Sequence, residues 1–259
     1  MSFIRLENVT KRLGGRVVLD GVSLEIPRGE TFVLVGSSGS GKSVTLRHMI
    51  RLLTPDDGRV WIGDDEISAA SGRELERLRR RFGVLFQSAA LLQWMSVFDN
   101  VALPLREKTR DSEEDVERRV REKLALLNLL DARDKLPADL SGGMQKRVGL
   151  ARAIILDPEI ILYDEPTSGL DPVTSRTIDA LIDDMRRRTG VTSVVVTHDM
   201  HSALAIGSRI GMIHRGRIVE AAAPADFLRS PNEEVQGFLE AQYITRRGAW
   251  EGGGEGRPS

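Results

Sequence analysis

The sequence contains no cysteine. That excludes a disulfide framework and a thiolate zinc site, and it gives no support for export into an oxidising compartment. Charge of one sign is also lacking: 37 lysines and arginines face 38 aspartates and glutamates, a formal net charge of −1. No chain-wide attraction to nucleic acid is therefore expected, and no nucleic-acid partner. Basic runs such as Arg77–Phe82 and Arg186–Arg188 stand beside carboxylates and read as solvated helix faces. No apolar run approaches the roughly 20 residues of a membrane-spanning helix. The opening MSFIRLENVTKR lacks the basic-then-apolar plan of a signal peptide. A cytosolic chain is expected, one able to dock on something in a membrane.

What is present is a chain of 259 residues, 41% apolar, enough for one large α/β domain or a domain with a smaller lobe. In the first thirty residues three extended pieces are read, FIRLENVTK, RVVLD and VSLEIPRG; in the last, Val22, Leu24 and Ile26 alternate with polar residues as in a half-buried strand. The run Thr31–Gly36 is continuously apolar, the mark of a strand covered on both faces. A Gly-rich turn, a helix and a short strand, RVWIGD, come next. From Ser71 to about Pro158 the pattern is mostly helical, with Val116, Val120, Leu124 and Leu127 on one stripe. Strands return in EIILYDEP, TSVVVTHD and IGMIHRGRIVE. The alternation predicts a parallel-sheet core interrupted by a helical lobe. Near the end, Val235, Phe238 and Leu239 mark a short helix, and GAWEGGGEGRPS has the composition of a disordered tail, expected beyond Gly248.

Chemistry concentrates at strand ends. Gly36, Ser37, Ser38, Gly39, Ser40, Gly41, Lys42 and Ser43 match G-x-x-x-x-G-K-[ST] between a buried strand and a helix that continues at Val44. In that context backbone N–H groups wrap phosphates, Lys42 reaches the β and γ phosphates, and the Ser43 hydroxyl can ligate Mg²⁺. IILYDEP ends in two adjacent carboxylates: Asp164 fits the metal, and the longer Glu165 fits the orienting or deprotonation of an attacking water. The bland alternative for Glu165 is that it caps the next turn. Gln87, after the apolar run VLF, and His198, after VVVT, stand where an amide could touch metal or water and an imidazole could reach the γ-phosphate. Each alone reads as a surface polar group; their weight comes from the set. A second cradle, Ser141, Gly142 and Gly143, opens another helix-like segment and carries no lysine within the turn.

This ordered set, over residues 3 to 230, resembles the ATP-binding cassette (ABC) ATPases that drive ABC transporters. Gly36–Ser43 is similar to their Walker A loop, Gln87 to the Q-loop glutamine, LSGGMQ to the signature, IILYDE to Walker B, Ser168–Asp171 to the D-loop and His198 to the switch histidine. The resemblance implies a P-loop NTPase (RecA-like) α/β core with an N-terminal antiparallel β subdomain and an inserted α-helical subdomain. The expected division is 1–87 with 158–228 as core, 88–157 as the helical subdomain with the signature, and 229–259 as a C-terminal extension. It also implies ATP and Mg²⁺, with Ser43, Gln87 and Asp164 at the metal, and catalysis by Glu165, His198 and Gln87. Two copies would pack head to tail, Ser141–Gly143 of one closing on ATP held by the other. Leu13 stands where many relatives carry an aromatic against adenine, which leaves Leu13 or Val18 to make an apolar contact.

The stretch ALLQWMSVFDNVALPLREKT is further similar to the ATPase subunits of Mla-type phospholipid transporters that work with MCE proteins. By that likeness the partners are a second copy, an integral permease, a lipid-binding MCE subunit and, in some members, a STAS-domain protein; the cargo is phospholipid and the site the cytoplasmic face of the inner membrane. Leu91, Leu92, Trp94, Met95, Val97 and Phe98 are apolar for a linker. About half are expected in the core of the lobe, with Trp94 and Met95 as anchors for the permease. The alternatives are the ATPase of an importer for amino acids or another small solute, a soluble ABC ATPase acting on ribosomes or DNA, and a small-molecule kinase. The last leaves LSGGMQ, SGLD and His198 without a purpose.

Overall fold

A computed structural model describes residues 2–242 and 244; the disorder expected beyond Gly248 lies outside them. Ten strands form two sheets. The first is antiparallel, in the order β2 (Arg16–Pro27), β1 (Ser2–Leu13), β4 (Asp57–Ile62), β5 (Asp65–Glu66). The second runs β10 (Arg217–Ala222), β9 (Arg209–His214), β3 (Thr31–Val35), β8 (Thr192–Thr197), β7 (Ile160–Asp164), β6 (Phe82–Leu85), parallel except where β10 returns against β9. β3, β7 and β8 are buried along their whole length, as continuous apolar runs in a doubly covered parallel sheet should be.

Two differences from the sequence reading have local causes. RVVLD and VSLEIP are one strand, β2; its register against β1 slips near Gly21, where a bulge takes up the extra residue. IGMIHRGRIVE is a hairpin, because Arg215 and Gly216 both adopt positive φ (47° and 79°), the turn whose twist matches the flanking strands.

Helices cover the parallel sheet. α1 (Lys42–Met49) and α2 (Gly72–Arg79) precede β6, and α3 (Val97–Lys108), α4 (Glu113–Leu126) and α5 (Gly142–Ile154) lie between β6 and β7. α6 (Pro172–Thr189), α7 (Met200–Ile206), α8 (Pro224–Phe227) and α9 (Glu233–Ala241) follow among the described residues. Most longer helices start on a side-chain cap: Ser96, Ser112, Ser141, Asp171 and Asn232 accept from first-turn amides of α3, α4, α5, α6 and α9. α4 buries Val116, Val120 and Leu124 as its stripe predicts. One apolar core fills the space between the two sheets around Ile4, Leu24 and Leu46, and another joins α3, α4 and α5 to the parallel sheet through Val101, Val120 and Ile161. Among the described residues no helix is long and apolar enough to cross a membrane.

The linker from β6 to α3 has no regular structure, and its second half, from Leu92 to Ser96, is organised around one side chain. Asn100 is fully buried; its Oδ1 accepts from Leu92 N at 2.8 Å, and its Nδ2 lies 3.0, 3.1 and 3.0 Å from the carbonyls of Leu92, Met95 and Ser96. Leu91 and Val97 are buried, Leu92, Met95 and Phe98 half-buried, and Trp94 is 75% exposed. The core thus takes the ends of the linker and leaves an indole outside. Asn100→Ala strands buried backbone groups and is expected to cost about 2–4 kcal/mol, read as a lower denaturation midpoint with an unchanged slope. A midpoint equal to the parent's would mean that the loop is held by packing alone.

Candidate functional site

The parallel strands end at one edge, and the loops that leave them converge there. After β3 the loop Gly36–Gly41 turns into α1, whose N-cap, Gly41, offers no side-chain hydrogen bond, so the first-turn amides face the loop without a side-chain cap. A side chain at position 36 would place Cβ 2.4 Å from the carbonyl oxygen of Ile213, so only glycine lets the loop pass β9. Lys42 Nζ donates to Gly36 O at 2.8 Å and Ser37 O at 3.1 Å, and lies 3.8 Å from Glu165 Oε1. Burial lowers the pKa of Lys42; the negative charges of Glu165 and Asp164 oppose that shift.

Ser43 Oγ donates to Asp164 Oδ1 at 2.8 Å, joining the start of α1 to the end of β7. Glu165 has φ +48°, a left-handed conformation that costs a residue with a Cβ about 1–2 kcal/mol. It is held there by Glu165 N donating to Val196 O at 2.9 Å. Its carboxylate oxygen Oε2 meets His198 Nδ1 at 2.9 Å and accepts from Thr197 Oγ1 at 3.4 Å. Gln87 Nε2 donates to Ser168 Oγ at 3.4 Å, so the amide oxygen is the atom left to act as an acceptor.

One cleft of about 680 Å³ is lined by Ser37, Ser38, Gly39, Gly41, Lys42, Ser43 and Val44 on one side and by Gln87, Glu165 and His198 on the other. With Val18 and Gln242 also on its wall, residues separated by up to 224 positions in sequence are thus brought to one place. Gly36, Ser40 and Asp164 belong to the same assembly by the bonds above and by Ser40 N donating to Ser37 O at 3.2 Å. A hydroxyl, a carboxylate and an amide oxygen are hard donors of the kind Mg²⁺ takes when substrate phosphates complete its shell. With phosphates against the loop amides and Lys42, the cleft can hold a nucleoside triphosphate and present Glu165 to a water beyond its last phosphorus.

Two sequence expectations fall elsewhere. Ser141, Gly142 and Gly143 do not line this cleft. Ser141 caps α5, accepting from Met144 N at 3.3 Å, and the two glycines lie against the start of α6, where a Cβ would stand 3.3 Å from Leu170 Cδ2 and 2.4 Å from Thr174 Cγ2 respectively. Leu13 is 40% exposed at the end of β1 and is not among the lining residues, whereas Val18 is. Phe238, Ala241 and Gln242, from the end of α9, also line the cleft. No local pattern marks them, because their place depends on α9 folding back over α7; Gln242 Oε1 accepts from Met200 N at 3.4 Å. Lys146, inside the LSGGMQKR stretch, is 6% exposed, and it donates to the carbonyls of Gln87 and Glu165. Its pKa is likewise lowered by burial and supported by Glu165 and Asp164.

A family model described as "ABC transporter" matches residues 19–168. The chain is 42% identical over 241 residues to a "Probable ribonucleotide transport ATP-binding protein mkl" of Mycobacterium leprae, covering 93% of this chain and 70% of that protein. It is 41% identical over 236 residues to a "Methionine import ATP-binding protein MetN" of Rhizobium johnstonii, covering 91% and 65%. Among solved structures it is similar to a dimeric ATP-binding cassette in a post-hydrolysis state bound to ADP and Pi, with a TM-score of 0.78, 36% identity and coverage of 85% of this chain and 98% of that one. It is also similar to cbiO1 of Clostridium perfringens, part of the transporter complex cbiONQ, with a TM-score of 0.81, 26% identity and coverage of 93% and 95%.

The contact of Gly143 with Thr174 gives a test of the second cradle. Gly143→Ala forces Cβ onto Thr174 Cγ2, and overpacking of this kind costs about 1–3 kcal/mol. Adding Thr174→Ser removes that methyl, leaving Thr174 Cβ at 3.8 Å as the nearest atom, and keeps the hydroxyl that donates to Asp171 Oδ2. The double variant is expected to regain the stability and ATPase rate that the single variant loses; equal loss in both would place the cause outside this contact.

Proposed function

The chain belongs to the ABC transporter family of ATP-binding cassettes, and from that premise we propose that it powers a phospholipid transporter with MCE-type partners. It binds and hydrolyses ATP as the ATPase subunit of a membrane transporter, pairing with a second ATPase copy and an integral permease. The observation that carries the catalytic reading is the single cleft in which Lys42, Ser43, Gln87, Glu165 and His198 meet.

In this reading the loop Gly36–Ser43 and Val44 hold the phosphates, and Ser43, Asp164 and Gln87 would hold Mg²⁺, which would supply neutralisation of phosphate charge. Glu165 accepts a proton from the attacking water as its oxygen bonds to the γ-phosphorus. The bond to the bridging oxygen breaks, and ADP leaves with that electron pair. His198, bonded to the Glu165 carboxylate, orients it and faces the γ-phosphate. Ser141, Gly142 and Gly143 lie outside the chain's own cleft and serve the ATP of a partner copy, which makes the monomer half of two composite sites. Residues 1–87 with 158–228 act as the core, 88–157 as the helical subdomain and 229–259 as the extension.

Support for the cargo comes from the stretch Ala90–Thr109. Its likeness to Mla-type ATPases coincides with an indole 75% exposed on a loop that Asn100 holds in place, the form of an anchor for a permease at the cytoplasmic face of the inner membrane. A second reading is an importer for a small solute, favoured by relatives named for methionine import and ribonucleotide transport.

Glu165→Gln is expected to retain ATP binding, to slow turnover by about 10²–10⁴-fold, and to accumulate an ATP-bound dimer visible by light scattering. Normal hydrolysis by that variant would remove Glu165 as the base. For cargo, the tagged chain is purified from its native membranes. Co-purification of a permease, an MCE protein and phospholipid above the detergent background supports the proposal, and loss of the permease from Trp94→Asp, Met95→Asp would tie it to this loop. A solute permease without lipid would replace it with the importer.

A further inference from the structure

The second cradle opens α5 and the catalytic carboxylate follows β7, yet one side chain joins the two elements. Lys146 lies in the second turn of α5, the helix that Ser141 caps and that Gly142 and Gly143 open. Its ammonium is buried and donates to two main-chain carbonyls, those of Gln87 and of Glu165, the latter at 3.1 Å. β6 and β7 pair in parallel up to Leu85 opposite Tyr163, and Gln87 and Glu165 each lie two residues further on. Where the ladder stops, the ammonium satisfies one carbonyl from each strand's continuation.

Two further contacts fix α5 to the same place. Arg152 donates to the carbonyls of Ala89 and Ala90 at 2.7 and 2.8 Å, and at Gly149 a Cβ would stand 2.8 Å from Leu85 Cδ1 and 3.0 Å from Ala89 Cβ. These grip the segment after β6 alone. Lys146 also takes hold of the carbonyl of Glu165, a residue that sits at φ +48°. Any shift of α5 on closure around a partner's nucleotide therefore moves a charged tether on the carbonyl of Glu165. A change in that peptide's orientation re-aims the carboxylate held by His198 and Thr197.

We propose that Lys146 is a positioning residue that connects the turn engaging one ATP to the carboxylate acting on the other, so that the two composite sites of the dimer hydrolyse cooperatively. The inference rests on the reading of Glu165 as base and of Ser141–Gly143 as a cradle for the partner's ATP. Lys146 has no contact with water or phosphate in this role; it acts through the Glu165 backbone.

The test uses the full chain assembled with its permease, and compares Lys146→Met, which keeps the stem and removes the donor, with Lys146→Arg, which restores donors and charge. Steady-state hydrolysis against ATP concentration gives kcat, half-saturation and Hill coefficient. Thermal melting gives the folded fraction. We expect a wild-type Hill coefficient above one, a fall in kcat of about tenfold or more for Lys146→Met with half-saturation within about twofold, and a Hill coefficient near one. Lys146→Arg is expected to recover most of kcat and the cooperativity. The proposal is overturned by a wild-type Hill coefficient of one, by an unchanged Lys146→Met, by losses that follow the folded fraction alone, or by Lys146→Arg failing as badly as Lys146→Met. Glu165→Gln, measured in parallel, separates the two ideas. If it is inactive while Lys146→Met is normal, only the tether fails; if it hydrolyses normally, the base reading falls and the tether with it.

Discussion

A buried ammonium set against two adjacent carboxylates is the interaction on which the rest of this structure depends. Lys42, Asp164 and Glu165 are all largely withdrawn from water, and a charge taken out of water alone is strongly unfavourable. Each is therefore placed where another can answer it: Lys42 among two loop carbonyls and Glu165, Asp164 on the Ser43 hydroxyl, Glu165 on His198 and Thr197. The same groups, an ammonium, a hydroxyl and two carboxylates, are thus gathered at one point although they come from α1 and from the end of β7.

The parallel sheet makes the arrangement possible. β3, β7 and β8 run the same way and stop at the same edge, so the loops after them share one small volume. Their interiors are mostly apolar, with the hydroxyls of Tyr163 and Ser193 buried among them, which leaves the charged groups to the strand ends and the residues just beyond. The antiparallel sheet plays a different part. It packs on α1 and the parallel sheet through one core, and brings Val18 and Leu19 of β2 to the phosphate loop.

The helices between β6 and β7 supply what the sheet edge does not contain. α5 presents a glycine pair at its start, away from the chain's own cleft, and a lysine one turn later that reaches into the cleft's backbone. The same helix thus faces two ways, toward the start of α6 and toward the edge where the parallel strands end. The preceding linker is anchored in the core at its ends and organised between them by the amide of Asn100, and this leaves Trp94 in solvent. A loop held by hydrogen bonds can spend its large apolar side chains on a partner.

Much of this was legible in the residues. Gly36–Ser43 between a buried strand and a helix, the paired carboxylates after IILY, and the stripe of α4 are local patterns whose chemistry depends on near neighbours alone. That about half of the linker's apolar residues would be buried and Trp94 exposed was also legible, whereas Met95, read as an anchor beside it, is half-buried. What stayed hidden depended on distant segments. The turn at Arg215–Gly216 carries no Asn-Gly signal, Asn100 looks like any polar residue in a helix, and Phe238 and Gln242 reach the cleft only because α9 docks beside α7. The sequence by itself determined the chemical groups, their order and the elements that bear them, since these are set by spacing along one chain. Only the tertiary structure decided that Ser141–Gly143 stands apart from the phosphate loop while Lys146 joins Glu165, because a distance across the fold is set by how elements pack, and no interval in sequence encodes it.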